Sequence, residues 1–133
     1  LNTLAGEFPH VVLFYGGGQG ILVASDAPMV ASRQHLLAIQ ADPKIAETIP
    51  GNRPLADLFE DLLVGERGLQ RFLDDSAKKA GIIRPDMISD DDNLYLEYAT
   101  PKSNVLPWIA REQLVAEIKR HAEPADLDAM IGP

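Results

Sequence analysis

The sequence predicts an α/β chain in which an antiparallel hairpin of two strands precedes a mainly helical region. Two short apolar runs flank a glycine-rich turn between Phe8 and Pro28. Leucine and phenylalanine then recur at helical spacing, and prolines and glycines divide the helical region into segments. Short runs of Val, Ile, Leu and aromatic residues are typical of buried strands, whereas i, i+3, i+4 spacing is typical of amphipathic helices.

The hairpin is predicted within residues 8–28. Its first strand, preceded by Phe-Pro-His, reads Val-Val-Leu-Phe-Tyr, its second reads Ile-Leu-Val-Ala-Ser, and the five residues from Gly16 to Gly20 connect them. The apolar runs predict a sheet covered on both faces. A phosphate-binding loop would need Gly-x-x-x-x-Gly-Lys-Ser/Thr, or a helix after Gly-x-Gly-x-x-Gly, but the residues after Gly20 continue as a strand. We therefore interpret these glycines as turn residues.

Three helices are predicted between residues 42 and 81. Asp42 and Pro43 are typical of an N-cap and a first helical residue, and they begin a short helix that runs to Ile49. Pro54 begins the second helix, and Gly81 is the C-cap of the third. The apolar face of the second helix is formed by Leu55, Leu58, Phe59, Leu62 and Leu63. The apolar face of the third is formed by Leu69, Phe72, Leu73, Ala77 and Ala80.

The C-terminal part of the sequence predicts a loop followed by helices. Residues 89–101 combine acidic residues with an alternating apolar run that is compatible with extended structure. A helix is predicted from Pro107 to His121, and a further short helix after Pro124.

Composition excludes several functional classes. The length of 133 residues fits one domain, and the 46% hydrophobic content is typical of a globular protein. The net charge of -8 repels phosphate backbones, so nucleic acid is not an expected partner. The sequence has no cysteine, which excludes disulfides and thiolate catalysis and is compatible with a reducing compartment. No apolar run approaches the ~20 residues of a membrane span.

Few residue types in this chain are suited to catalysis. His10 precedes the first predicted strand, and we interpret its side chain as bonded to the backbone there. Ser25 and His35 resemble a nucleophile and its base only superficially, because a hydrolase serine lies in Gly-x-Ser-x-Gly and Ser25 lies between Ala24 and Asp26.

Two segments together resemble a known protein family. The first is Phe-Pro-His-Val at residues 8–11, leading through Gly-Gln-Gly to Leu-Val-Ala-Ser at residues 22–25. The second is Asp-Asp-Asn-Leu-Tyr-Leu-Glu-Tyr-Ala-Thr-Pro at residues 91–101. They resemble the C-terminal part of bacterial spermidine synthase-like proteins, which are relatives of the aminopropyltransferases. In that family an Asp-Asp-Asn/Arg-x-x-x-Glu-Phe/Tyr motif closes the chain.

The resemblance implies a class I methyltransferase-like Rossmann fold. Residues 1–29 would form the last two strands, an antiparallel hairpin at the sheet edge. Residues 30–133 would form a mainly helical C-terminal extension with the acidic loop at 89–101, in one compact domain. The full-length form would transfer an aminopropyl group from decarboxylated S-adenosylmethionine to an amine. The family's nucleoside-binding motifs are absent from this chain and would precede Leu1, so we expect no cofactor site here and no activity of the chain alone.

The acidic loop contains the candidate site residues. The resemblance implies that Asp91, Asp92 and Glu97 contribute to a surface that faces the amine substrate, since carboxylates in a partly dry cleft attract cations strongly. In the alternative interpretation, these side chains cap backbone N–H groups in a turn. The loop lacks the central glycine and the ligand spacing of a calcium-binding EF-hand, so no metal site is predicted. No catalytic residue is assigned.

Two functional hypotheses follow. In the first, the partner is the N-terminal remainder of the parent protein and the substrate is a small amine. This hypothesis predicts a cytoplasmic location. It also allows the full-length parent to be tethered to the inner membrane. In the second, the chain is a non-enzymatic interaction domain that forms a homodimer through its hairpin, because an isolated two-stranded unit has exposed edges and is marginally stable.

Overall fold

A computed structural model of the chain describes residues 1–49, 53–88 and 108–132, which form a mixed α/β structure. The helices are α1 (Asn2–Glu7), α2 (Arg33–Gln40), α3 (Pro43–Ala46), α4 (Glu66–Ala80), α5 (Trp108–Lys119) and α6 (Ala125–Met130). Two 3₁₀ helices span Leu55–Asp61 and Arg84–Met87. The strands are β1 (His10–Gly16), β2 (Gln19–Ser25), β3 (Ala31–Ser32), β4 (Leu62–Val64) and β5 (Ile131–Gly132). No helix in these ranges is long and apolar enough to cross a membrane.

The main sheet is antiparallel and has the strand order β2-β1-β4. Strands β1 and β2 pair along their whole length, from His10 opposite Ser25 to Gly16 opposite Gln19, which confirms the predicted hairpin. The turn is shorter than the predicted five residues. It consists of Gly17 and Gly18, whose φ angles are 58° and 80°. Two consecutive positive φ angles are what a two-residue hairpin turn requires, and glycine adopts them without strain.

The two strands of the hairpin differ in burial. Val11, Val12 and Leu13 of β1 are buried, whereas no residue of β2 is buried and several are exposed. The prediction of a sheet covered on both faces is therefore wrong for β2. Among the described residues, the hydrophobic core forms on β1 and β4, and β2 lies at its margin.

The predicted second helix is replaced by two different elements. Residues Leu55–Asp61 form a 3₁₀ helix, and the following residues leave the helical path to become strand β4. There Leu62 lies opposite Phe14 and Val64 opposite Leu13. Pairing with β1 buries Val64 completely and Leu63 almost completely, so tertiary burial outweighs the local helical pattern.

The predicted caps are confirmed in the other helices. The carboxylate of Asp42 accepts a hydrogen bond from the backbone N–H of Lys44 at 2.9 Å, although α3 ends at Ala46 and turns follow it. Helix α4 ends at Gly81, which has a φ of 70°. The backbone N–H groups of Gly81 and of the next residue donate to carbonyls in the last turn of α4, the pattern of a Schellman motif.

Helices α4 and α5 cover the sheet. Among the described residues, eight buried side chains form the hydrophobic core, contributed by β1, β4, α4 and α5. They are Val11, Leu13, Leu63, Val64, Leu69, Phe72, Leu73 and Ile118. Helix α4 approaches the end of α5 closely at Gly68, where a Cβ atom would lie 2.3 Å from the carbonyl oxygen of His121. The predicted C-terminal helices are confirmed, since α5 lies within the predicted 107–121 range and α6 follows Pro124.

Helix α1 is held by a reciprocal pair of hydrogen bonds. The side-chain amide of Asn2, which is only 7% exposed, donates to the carbonyl oxygen of Arg84 at 2.7 Å. In return, Nε of Arg84 donates to Oδ1 of Asn2 at 3.0 Å. The Arg84 guanidinium also donates to Gln70 of α4 at 2.6 Å. This arrangement links α1, α4 and the second 3₁₀ helix.

Candidate functional site

A cleft of about 300 Å³ opens between the start of β1, the start of α4 and helix α6. Val12, Met29 and Met130 are part of its apolar wall. His10 and Glu66 are part of its polar lining, which also includes Arg67 and two carboxylates from the α6 region. Apolar walls with a few convergent polar groups are typical of small-ligand sites.

His10 forms a side-chain pair with Glu66 in this cleft. Nδ1 of His10 lies 2.9 Å from Oε1 of Glu66. An ionised carboxylate only accepts hydrogen bonds, so Nδ1 of His10 is the donor in this pair. The expectation that the backbone satisfies His10 is not what the structure shows. The partner is a carboxylate 56 residues away.

Asp126 is held in place by two backbone groups. Its Oδ2 accepts hydrogen bonds from the N–H of Gly65 at 3.1 Å and from the N–H of Glu123 at 3.0 Å. A Cβ atom on Gly65 would lie 2.4 Å from Cγ of Asp126. Glycine at position 65 therefore allows the carboxylate to reach the backbone immediately before α4.

The carboxylates of the cleft have different partners. Glu123 pairs with the guanidinium of Arg71, which also donates to the carbonyl oxygen of His121 at 3.0 Å. Glu66 and Asp126 instead face an imidazole and backbone N–H groups, which do not carry a fixed positive charge. The lining contains three carboxylates, those of Glu66, Glu123 and Asp126, but among the described residues Arg67 is its one lysine or arginine. The net charge of the lining is therefore negative.

The structure does not describe the sequence-predicted site residues. Asp91, Asp92 and Glu97 lie outside the described residues, as does the whole 89–101 loop. Ser25 stabilises a turn, since its Oγ accepts a hydrogen bond from the N–H of Ala27 at 3.1 Å. No local sequence pattern indicated the His10–Glu66 pair, because its members come from two separate elements.

The exposed edge formed by β2 is a second candidate site. Among the described residues β2 pairs with β1 alone. Ile21 is 55% exposed and Val23 is 39% exposed. All seven residues of β2 are uncharged, and none is a proline. Charged residues and prolines are the usual protection of a sheet edge against pairing with another strand.

In the parts of the chain that the structure describes, no group of three or more histidine, aspartate or glutamate side chains is placed to hold a metal ion. No protein-family model, curated protein or solved structure matches this chain. The function is therefore argued from its own residues.

Proposed function

We propose that this chain is the C-terminal region of a spermidine synthase-like protein and that β2 continues the sheet of the rest of that protein. The observation that carries the proposal is the edge of β2, which has no charged residue at any of its seven positions and exposes the apolar side chains of Ile21 and Val23. Its support in the sequence is the resemblance of residues 8–25 and 91–101 to that family.

The two edges of the main sheet differ in the way the proposal requires. Strand β4 is three residues long, and buried Leu63 and Val64 fix it beneath the helices. Strand β2 is more than twice as long and presents a row of backbone N–H and C=O groups with no charged neighbour on the strand. An unprotected edge of this length pairs readily with another strand. We therefore assign β2 to the interior of a larger sheet.

The proposed reaction belongs to the full-length form. The amine nitrogen of the substrate attacks the aminopropyl carbon bonded to the sulfonium of decarboxylated S-adenosylmethionine, and a new C–N bond forms. The C–S bond breaks, its electron pair stays on sulfur, and methylthioadenosine leaves. The proton of the attacking amine passes to a carboxylate base. Asp91, Asp92 and Glu97 are our candidates for the surface that orients the amine.

The first test is the size of the native protein. An antibody against this chain should detect a band well above 14.5 kDa in immunoblots of source cells. The immunopurified protein should release methylthioadenosine from decarboxylated S-adenosylmethionine only when a diamine is added. The double variant Asp91→Asn, Asp92→Asn should lower this rate. A native band at 14.5 kDa, or the absence of methylthioadenosine, would contradict the proposal.

Homodimerisation through β2 is the second candidate function, and the exposure of Ile21 and Val23 favours it. Light scattering on the purified chain distinguishes the two. A dimer that Ile21→Lys converts to a monomer supports pairing between copies. The matched control is Leu37→Lys, because Leu37 is also exposed, at 64%, and lies on α2 rather than β2. A chain that stays monomeric at high concentration rules out the homodimer.

A further inference from the structure

The cleft between β1, α4 and α6 is lined by described residues that the proposed function does not use. The argument from these lining residues does not use Asp91, Asp92 or Glu97, so an inference drawn from the cleft stands whether or not the proposed function holds. Its volume of about 300 Å³ lies at the lower end of the range for small-molecule sites, roughly 300–1,000 Å³. A ligand of a few heavy atoms therefore fits it.

The polar groups of the cleft are mainly acceptors. Glu66 and Asp126 supply carboxylate oxygens, and His10 supplies Nε2 as an acceptor when its ring is neutral. Both carboxylates are held by their existing partners, so they are oriented before any ligand arrives. A primary ammonium group has three N–H donors and a positive charge, which matches a set of anionic and neutral acceptors.

The apolar wall of the cleft indicates which chemistry the rest of the ligand should have. Met29 and Met130 lie in the wall with Val12 and Pro28. Methionine side chains are flexible and polarisable, and they adapt to alkyl groups of different shape. The two carboxylates without a fixed cationic partner disfavour an anion, and the chain's net charge of -8 attracts cations.

We propose that this cleft binds a small alkylammonium cation, with the ammonium group between Glu66, Asp126 and His10 and the alkyl chain against the two methionines. The carboxylates supply the charge-assisted hydrogen bonds, and the apolar wall removes the alkyl chain from water.

Butylammonium chloride is the probe for this site, titrated into the ¹⁵N-labelled chain and followed by ¹H–¹⁵N NMR. The amide signals of Gly65, Glu66 and Asp126 should shift and saturate. Butanol has nearly the same shape without the charge, and butyrate reverses the charge, so both should bind at least about tenfold more weakly. Equal binding of butanol, or shifts confined to other parts of the chain, would overturn the proposal.

Charge-removing variants test the roles of the two carboxylates. Glu66→Gln keeps an acceptor for Nδ1 of His10, and Asp126→Asn keeps an acceptor for the backbone N–H groups, so both variants should fold. Each should weaken butylammonium binding by about tenfold. The matched control is Glu112→Gln, which removes the same charge from an exposed position on α5. If the control weakens binding as much as Glu66→Gln does, the attraction is a general effect of net charge and the site is refuted.

Discussion

Strands β2 and β4 flank the same central strand, and both pair with it in the antiparallel sense. Strand β2 has seven paired positions but no buried residue. Strand β4 has three residues, two of which are buried. The difference lies in the layer of helices, because α4 and α5 contribute their buried side chains to the core around β4 and β1.

This contrast teaches that the length of a strand and its contribution to stability are separate properties. Backbone hydrogen bonds in the hairpin replace hydrogen bonds to water, so each makes only a modest net contribution. Burial of apolar side chains is the dominant favourable term in folding. We therefore expect the short strand to contribute more to stability than the long one.

The largest effect is expected from matched valine substitutions in the two strands. Val64→Ala in β4 removes two methyl groups from a fully buried position and should lower the free energy of unfolding by about 2 kcal/mol. Val23→Ala in β2, where the side chain is 39% exposed, should cost less than about 1 kcal/mol. Urea denaturation of both variants measures the two values. Equal losses would show that β2 is as well covered as β4.

A smaller loss in the free energy of unfolding is expected when a methyl group is added where α4 meets the end of α5. Gly68→Ala places Cβ 2.3 Å from the His121 carbonyl oxygen and 2.5 Å from Cγ2 of Val64. Overpacking costs typically about 1–3 kcal/mol, and the better helix propensity of alanine offsets roughly 1 kcal/mol, so the net loss should be at most about 2 kcal/mol.

Gly6→Ala is the control for this substitution. Gly6 also lies in a helix, but its Cβ would make only an ordinary contact of 3.9 Å with Ile88. The thermal midpoint of the Gly6→Ala variant should equal that of the unmodified chain or be slightly higher. A Gly68→Ala variant as stable as Gly6→Ala would mean that the helical layer lies farther from β4 than the structure shows.

The smallest effect is expected from an ion pair on the surface of the helical layer. Nζ of Lys79 on α4 lies 2.9 Å from Oε1 of Glu117 on α5. The hydrogen bond from Lys79, and then its charge, lower the pKa of Glu117 below its usual value of 4.5. Because the folded-state pKa is the lower one, the stabilisation is present above pH 4.5 and is lost as the pH falls through the folded-state pKa.

Lys79→Gln should therefore lower the urea midpoint slightly at pH 7, and the difference from the unmodified chain should shrink as the pH falls below 4.5. Lys78→Gln removes the same charge from an adjacent exposed position and should show a smaller pH-dependent difference. A difference for Lys79→Gln that stays constant from pH 7 to pH 3 would argue against the ion pair.

Local signals predicted the elements that depend on neighbouring residues. The hairpin follows from its glycines and its apolar runs, and α4 follows from its apolar periodicity and from Gly81. The sequence predicts a helix where β4 lies, because Leu62 and Leu63 continue the i, i+3, i+4 pattern of the preceding residues. What makes these residues a strand is their pairing with β1, about 50 residues earlier, which no local window contains.

The candidate cleft was beyond sequence reasoning for the same physical reason. His10 and Glu66 meet because the start of β1 lies beside the start of α4, and Asp126 joins them through the backbone of Gly65. Only the glycine gave a local signal, and it was equally consistent with a helix end. The family resemblance indicates Asp91, Asp92 and Glu97 instead, and the role of those residues stays a prediction.

The reciprocal bonds between Asn2 and Arg84 have a consequence for the cooperativity of unfolding. A six-residue helix ordinarily opens at little cost and exchanges its amide hydrogens quickly. Here the opening of α1 would break both hydrogen bonds between Asn2 and Arg84. It would also disturb the hydrogen bond from Arg84 to Gln70 of α4. Helix α1 is thus linked to a helix more than 60 residues away, and we expect the two to open as one cooperative unit, with similar protection of their amide hydrogens from exchange.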